Sequence, residues 1–272
     1  MVEISARVLG ELSVRAGGRD AAPSAPKPRQ VLALLAINAN RLIHTSDFYR
    51  ELWGDRPPRT AAATLQTYVG QLRRSLSEAL GVTPQAASET MLITQPGGYV
   101  LRVAAEHLDL EQYRQVLARA EESRRSQKME EAVFCYRSAI DLWRGPALAD
   151  INCGPILRAW ADRFNEGRLN ATEQLIALEL QLGRPLNVLS DLRELTAHHP
   201  FHENVHGQLM IALFQAGRRS EALEIYRTLR QRIVDELGME PSAYLTLLQQ
   251  EIIRSGPQRR GPIAYRDMKF SA

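Results

Sequence analysis

The feature that most restricts this chain is a long amphipathic segment pressed between a helix breaker and a hairpin. Leu65, Val69, Leu72, Leu76 and Leu80 recur at i, i+4, i+7, i+11 and i+15, the stripe of a helix over about residues 59–80 with one face in a core. Just before it stands "GDRPPRT", whose paired prolines cannot continue a preceding helix. Just after it come "TMLITQ", the turn "PGG" and "YVLRV", two β-rich runs on either side of Pro96-Gly97-Gly98.

The upstream residues narrow the choice further. Residues 2–15 read as short strands around Gly10, and "AAPSAPKP" as a loop. From Pro28 the spacing of Val31, Leu34, Leu35 and Asn38 predicts a helix of about three turns. Thr45 or Ser46 is the expected N-cap of a second helix, with Phe48, Leu52 and Trp53 on its apolar side. Strands, three helices and a hairpin within residues 1–104 describe a winged helix-turn-helix.

Beyond His107 only helical patterns remain. "EEAVFCYRSAI", with Ala132 and Tyr136, matches "SEALEIYRTLR", with Ala222 and Tyr226. Val188 lies 34 residues before Ala222, and Pro200 closes that unit, which is tetratricopeptide spacing. Ala132 to Val188 is 56 residues, so one unit carries an insertion. The expected fold is therefore mainly α: a winged helix (α+β) over 1–104, then an all-α, tetratricopeptide-like array over 107–254. Residues 255–272, "GPQRRGPIAYRDMKFSA" with the preceding serine, have no periodicity and are expected to be a mobile tail.

Composition excludes several classes. With 44% apolar and 24% charged residues, the 272-residue chain reads as globular and cytoplasmic. It contains no apolar run of membrane-spanning length and no basic, apolar leader, so no membrane partner is expected. Cys135 and Cys153 are too few for a disulfide framework or a thiolate metal site. Charge is uneven: residues 1–104 carry 12 Lys/Arg against 8 Asp/Glu, whereas 105–256 carry 18 against 22. The N-terminal part is thus the one suited to a polyanion.

Projected around its leucine stripe, helix 59–80 turns Thr60, Ala63, Thr64, Thr67, Gly70, Gln71 and Arg74 outward, with no acid before Glu78. Hydroxyls and a guanidinium reach phosphates or base edges, and Ala and Gly permit close approach. Gln71 can pair with adenine, and Arg74 with guanine or phosphate. Leu65, Leu72 and Leu76 belong to the core. An uncharged solvent face would look similar, but the hairpin placed after this helix favours DNA.

One motif points elsewhere. His202-Glu203-Asn204-Val205-His206 is H-E-x-x-H, the zinc-peptidase spacing. Leu209 stands where the extended pattern needs glycine, and Glu221 and Glu224 belong to the "SEALEIY" repeat helix. No phosphate-binding G-x-x-x-x-G-K-[ST] and no nucleophile elbow occur. The reading is a non-enzyme without metal or cofactor. A zinc peptidase through His202, Glu203 and His206 and a protein-scaffolding adaptor stand as the alternatives.

The segments "KPRQVLALLAINAN", "LWGDRPPRTAAATLQTYVGQLRRSL" and "LITQPGGYVLRV" closely resemble the OmpR-type DNA-binding domain of the Streptomyces antibiotic regulatory proteins. "HLDLEQYRQVLARA", "AIDLWRGPALAD" and "GRRSEALEIYRTLRQRIVDELGMEPS" resemble the bacterial transcriptional activation domain of the same family. The resemblance runs from about residue 5 to residue 254. It implies a transcriptional activator of a biosynthetic gene cluster that binds direct repeats at promoters, self-associates as a dimer on DNA, and contacts RNA polymerase including its sigma factor. It also implies that Trp53, Arg59 and Thr60 meet the sugar-phosphate backbone, and that Thr64, Thr67, Gly70, Gln71 and Arg74 form the recognition face flanked by Tyr68. The turn of Gly97, Gly98 and Tyr99 would lie against the minor groove. Gln95 departs from the arginine common in relatives, which removes a charge from the wing.

Overall fold

Pro26 opens the first helix, α1 (Pro26–Ile37), where a proline's missing N–H costs nothing. In this computed structural model, which describes residues 4–255, α1 is buried almost throughout, from Pro28 and Gln30 to Ile37. It starts two residues earlier than its apolar spacing predicted. Before it, β1 (Ile4–Arg7), β2 (Ser13–Ala16) and β3 (Arg19–Asp20) form an antiparallel sheet in that order.

A short strand that the sequence did not announce, β4 (Ile43–His44), leads into α2 (Thr45–Trp53). Thr45 is therefore the first helical residue and His44 the cap, so neither Thr45 nor Ser46 caps the helix as expected. Next comes α3 (Ala61–Leu80), ended by Gly81 in the left-handed conformation. A further helix, α4 (Pro84–Thr90), precedes β5 (Leu92–Gln95) and β6 (Gly98–Leu101). Thr83 caps α4 by accepting from the Ala86 N–H at 3.2 Å, and Pro84 fills its first position. α4 is a helix beyond the three expected here from the sequence, although Thr-Pro is a signal that could have marked it. The second sheet has the order β4-β6-β5, which makes β6 its central strand.

Among the described residues seven α-helices follow: α5 (Asp109–Arg125), α6 (Met129–Ile140), α7 (Pro155–Gln181), α8 (Leu189–His198), α9 (Glu203–Gln215), α10 (Arg219–Leu237) and α11 (Ala243–Arg254). The repeat-defining Ala132, Tyr136, Val188, Ala222 and Tyr226 are all buried. α8 packs on α9, α9 on α10, and α10 on α11. The 56-residue gap is filled by the loop after α6 and by α7, a helix of 27 residues.

The chain divides into two compact units, and the division does not fall between 104 and 107. One unit takes the described residues through Glu122 together with Phe134–Ala171; the other takes Ser123–Val133 and the described residues from Thr172 onward. Two buried carboxylates explain why the first unit reaches so far. Glu51 on α2 is 3% exposed and accepts the N–H groups of Gly154, Ile156 and Leu157 at 2.6, 2.9 and 3.0 Å. Those are unpaired donors at the start of α7, so Glu51 acts as its remote N-cap. Gly154 has to be glycine, because a Cβ there would stand 2.0 Å from the Glu51 carbonyl oxygen.

Asp109, at the start of α5, is the second carboxylate. It accepts from the Val8 and Leu9 N–H groups at 2.9 and 3.0 Å, with Arg144 at 3.6 Å. Burial pushes its carboxyl above the ordinary range, although the Leu9 and Val8 N–H groups and Arg144 act against that. The loop after α6 runs along the same corner: Arg144 and Leu148 donate their N–H groups to the Leu9 and Val8 carbonyls. Asp150 accepts from Leu12 N–H at 2.7 Å and pairs with Arg29. The residues expected to begin a separate array thus share a core with the winged helix.

Glu51→Ala leaves three donors at the start of α7 without their buried acceptor, and is expected to cost about 3 kcal/mol. Urea unfolding followed by circular dichroism would show it as a lower midpoint; an unchanged midpoint would mean that water replaces the carboxylate at no cost.

Candidate nucleic-acid interface

The period of α3 sorts its residues cleanly. Leu65, Val69, Leu72 and Leu76 are buried, Leu80 packs against the core as a partly buried residue, and Thr67, Gly70, Gln71 and Arg74 are exposed. Thr64 and Tyr68 are half-buried along the border of that face. Arg59 and Thr60, just before the helix, are exposed, and Thr60 is its N-cap residue without a side-chain cap bond. The Thr67 hydroxyl donates to the Ala63 carbonyl at 2.9 Å, leaving its oxygen free to accept. A Cβ added at Gly70 would meet nothing within 4 Å, and unlike the other glycines with such open space Gly70 has no positive φ. The fold does not ask for glycine at this position.

Adjacent arginines of α3 do different work. Arg73 donates through Nε and Nη2 to the Leu92 carbonyl at 2.9 and 2.8 Å, and through Nη2 to the Thr94 hydroxyl at 2.7 Å. It therefore ties α3 to β5 of the wing, a positioning role that projection onto a helix did not reveal. Burial lowers its pKa, opposed by the neighbouring Tyr99. Arg74 is exposed and has no protein partner among the described residues.

The wing turn is tighter than the sequence suggested. Gln95 and Gly98 are the last β5–β6 pair, so only Pro96 and Gly97 form the corner, with Gly97 at φ +84°. Gln95 is half-buried and Gly97 exposed. Gly98 and Tyr99, expected on the wing surface, face inward. A Cβ on Gly98 would lie 1.9 Å from the Ile43 carbonyl oxygen. Tyr99 is 8% exposed, and its ring meets Phe48 edge-on at 5.9 Å. The reason is β4: with a strand on each side, β6 is central and all four of its residues are buried. Trp53 is half-buried, packs against the core and lies 5.9 Å from the Tyr49 ring.

Two family profiles match. The transcriptional regulatory protein C-terminal domain covers residues 20–101, and the bacterial transcriptional activator domain covers residues 108–253. Regulatory protein DnrI of Streptomyces peucetius is 40% identical over 257 residues, 94% of each chain. The chain belongs to the Streptomyces antibiotic regulatory protein family. Transcriptional regulator RedD of Streptomyces coelicolor is 33% identical over 97% of this chain and 73% of its own. Regulatory protein AfsR of Streptomyces coelicolor is 34% identical over 92% of this chain, but only 24% of AfsR is covered. Among solved structures, Mycobacterium tuberculosis EmbR in complex with a low-affinity phosphopeptide matches with a TM-score of 0.82 and 30% identity, covering 93% of this chain and 66% of EmbR. This family member is a transcriptional regulator with an OmpR-type DNA-binding domain, not an enzyme. The first profile ends at residue 101 and the second begins at residue 108, whereas the compact units divide elsewhere.

His202 and Glu203 of H-E-x-x-H are occupied with helix capping, and His206 with a bond back to the residue that caps α9. His202 lies outside α9 as its N-cap, accepting from Val205 N–H through Nδ1 at 3.5 Å, with its Nε2 3.1 Å from Glu173. Glu203 accepts from Ser242 N–H at 2.8 Å, at the start of α11. His206 is 7% exposed, and its Nδ1 bonds the His202 carbonyl at 3.1 Å. Among the described residues no group of three or more His, Cys, Asp or Glu is arranged to hold a metal ion. No helix of the described residues is long and apolar enough to cross a membrane.

Two outcomes follow from this geometry. Arg73→Ala should loosen the wing from α3 and weaken DNA binding, with the lost protection confined to the wing side of a hydroxyl-radical footprint. Uniform loss across the footprint would assign Arg73 a general stabilising role instead. Burial, partly opposed by the bond to the His202 carbonyl, pushes the His206 imidazole below the ordinary 6.5, so the unfolded chain takes up that proton more readily. Stability from this group is complete above 6.5 and is lost as pH falls below it. The melting temperature should therefore drop as pH falls below the ordinary 6.5, and His206→Gln should flatten that slope. A slope untouched by the substitution would place the titration elsewhere.

Proposed function

We propose that this regulator acts in the cytoplasm as a sequence-specific activator of a biosynthetic gene cluster, seating α3 in the major groove of promoter DNA. The observation that carries this is the exposed, acid-free face of Thr67, Gly70, Gln71 and Arg74. It offers two adaptable polar groups and a free guanidinium around a glycine that the fold does not need. Arg59 and Thr60 meet the backbone before the helix, with Thr64, Tyr68 and Trp53 at its edges. Pro96 and Gly97 carry the wing into the adjacent minor groove, with Gln95 behind them supplying hydrogen bonds without charge. Gly98 and Tyr99 support that turn from inside.

On direct repeats, two copies stand head to tail, a heterologous arrangement, and form the dimer on DNA. The helical units then recruit RNA polymerase, including its sigma factor. A scaffolding adaptor would bind a protein through the same winged helix and show no preference among duplexes.

Fluorescence anisotropy on promoter fragments, with excess nonspecific DNA, a salt series and a chelator arm, tests this reading. Binding should saturate, depend on the repeats and ignore the chelator. Gln71→Ala should cost about 1–3 kcal/mol at one base position; an equal loss on every sequence would reduce Gln71 to a backbone contact. Gly70→Ala should stabilise the folded chain by about 0.5–1 kcal/mol while weakening specific binding. A stabilised variant with full affinity would remove close approach from the recognition scheme.

A further inference from the structure

On the first compact unit, away from the face of α3 just described, α2 and the first turns of α7 border a groove of about 320 Å³. Arg50 stands on one side; Pro155, Ile156, Ala159, Trp160 and Arg163 form the rest. The two walls are fixed by the bonds from Glu51, the residue after Arg50, to Gly154, Ile156 and Leu157. Arg163 lies over the Trp160 ring at 5.5 Å, and the Trp160 ring packs tilted against Phe164 at 5.3 Å.

At this groove two unpaired charges stand beside an apolar floor. Arg29 pairs with Asp150, Arg184 with Glu130, Arg218 with Glu221 and Arg230 with Glu240. The guanidiniums of Arg50 and Arg163 have no ion-pair or hydrogen-bond partner among the described residues, although Asp47 lies one turn before Arg50 and Asp162 beside Arg163. Two free guanidiniums thus flank an apolar floor with an indole in it. Arginine and tryptophan are the residues that most often dominate protein interfaces. The groove is open along its length, so it would leave a small molecule largely in water, whereas an extended peptide can cross it and insert one side chain. A DNA backbone would make no use of Ile156, Ala159 or Trp160.

We propose that this groove docks an acidic segment of another protein, one presenting an apolar or aromatic side chain between carboxylates. The side chain packs on Ile156, Ala159 and Trp160, and the carboxylates pair with Arg50 and Arg163, whose planar forks suit bidentate bonding. None of these residues belongs to the DNA-facing set, so the proposal stands apart from the reading of α3.

The probe is a fluorescein-labelled peptide, Gly-Asp-Glu-Leu-Phe-Glu-Asp-Gly, titrated by anisotropy with the full chain. Two control peptides replace its acids by Asn and Gln, or its Leu-Phe by Ser-Ser. Saturable binding is expected, weakened about tenfold or more by either control. Arg50→Ala, Arg163→Ala and Trp160→Leu should each weaken it about fivefold or more, with melting temperature and promoter affinity retained. Arg163→Lys should recover only part of the loss. Absence of saturable binding, equal affinity for the amide peptide, or indifference to all three substitutions overturns the proposal. Displacement of the peptide by duplex DNA would make the groove a backbone contact instead. Self-association of the free chain that disappears with Arg163→Ala would put a second copy there.

Discussion

Two carboxylates that have been taken out of water decide how this chain is put together. An ionised group buried without partners costs several kcal/mol, so Glu51 and Asp109 are tolerable only because each is met by backbone N–H groups. The donors come from about a hundred residues away in sequence. Glu51 holds the start of α7, and Asp109 holds the corner after β1, which also receives the loop preceding α7. Neither segment can leave without exposing an unpaired charge to the interior. A hydrophobic contact between the same elements could slide; a carboxylate facing three particular N–H groups cannot. The winged helix and the first helices of the activator domain are joined in one core for this reason.

The DNA-facing helix inherits its position from that core. α2 carries Glu51 on its buried side and Trp53 and Tyr49 at the border, while α3 rests on α1 and α2 through Leu65, Val69, Leu72 and Leu76. Arg73 then sets the wing against α3 by spending its guanidinium on the β5 backbone. Arg74, one residue on and rotated by 100°, is exposed with its guanidinium unpaired among the described residues, which suits the proposed contact with DNA. Adjacent identical side chains divide between structure and recognition solely by their angle around the helix axis.

That division shows what could be read from sequence. Periodicity located α3, the hairpin and the paired repeat helices, because each exposes its buried face as a regular spacing of leucines, alanines and aromatics. It could not find β4, which has two residues and no room for a period, and so it misjudged β6. The second strand of the hairpin is central in its sheet, so Gly98 and Tyr99, expected on the wing surface, lie in the interior. The carboxylate pairings were equally silent, since a buried Glu in "RELWG" looks like any helical acid until its distant partner is known. H-E-x-x-H misled in the opposite direction. Its spacing is that of a metal-binding helix, but Pro200 delays the helix so that His202 becomes a cap rather than a ligand.

Glycine gives the clearest separation of the demands of folding from those of binding. Gly154 and Gly98 sit where a methyl group would collide with the carbonyl oxygens of Glu51 and Ile43, so the backbone packing fully accounts for them. Gly70 lies in the middle of a helix, where glycine weakens the fold, with open space where its side chain would be. No neighbour within the protein repays that weakness. In the proposed DNA complex that open space lies along the one face of α3 where threonine, glutamine and arginine stand without an acid among them.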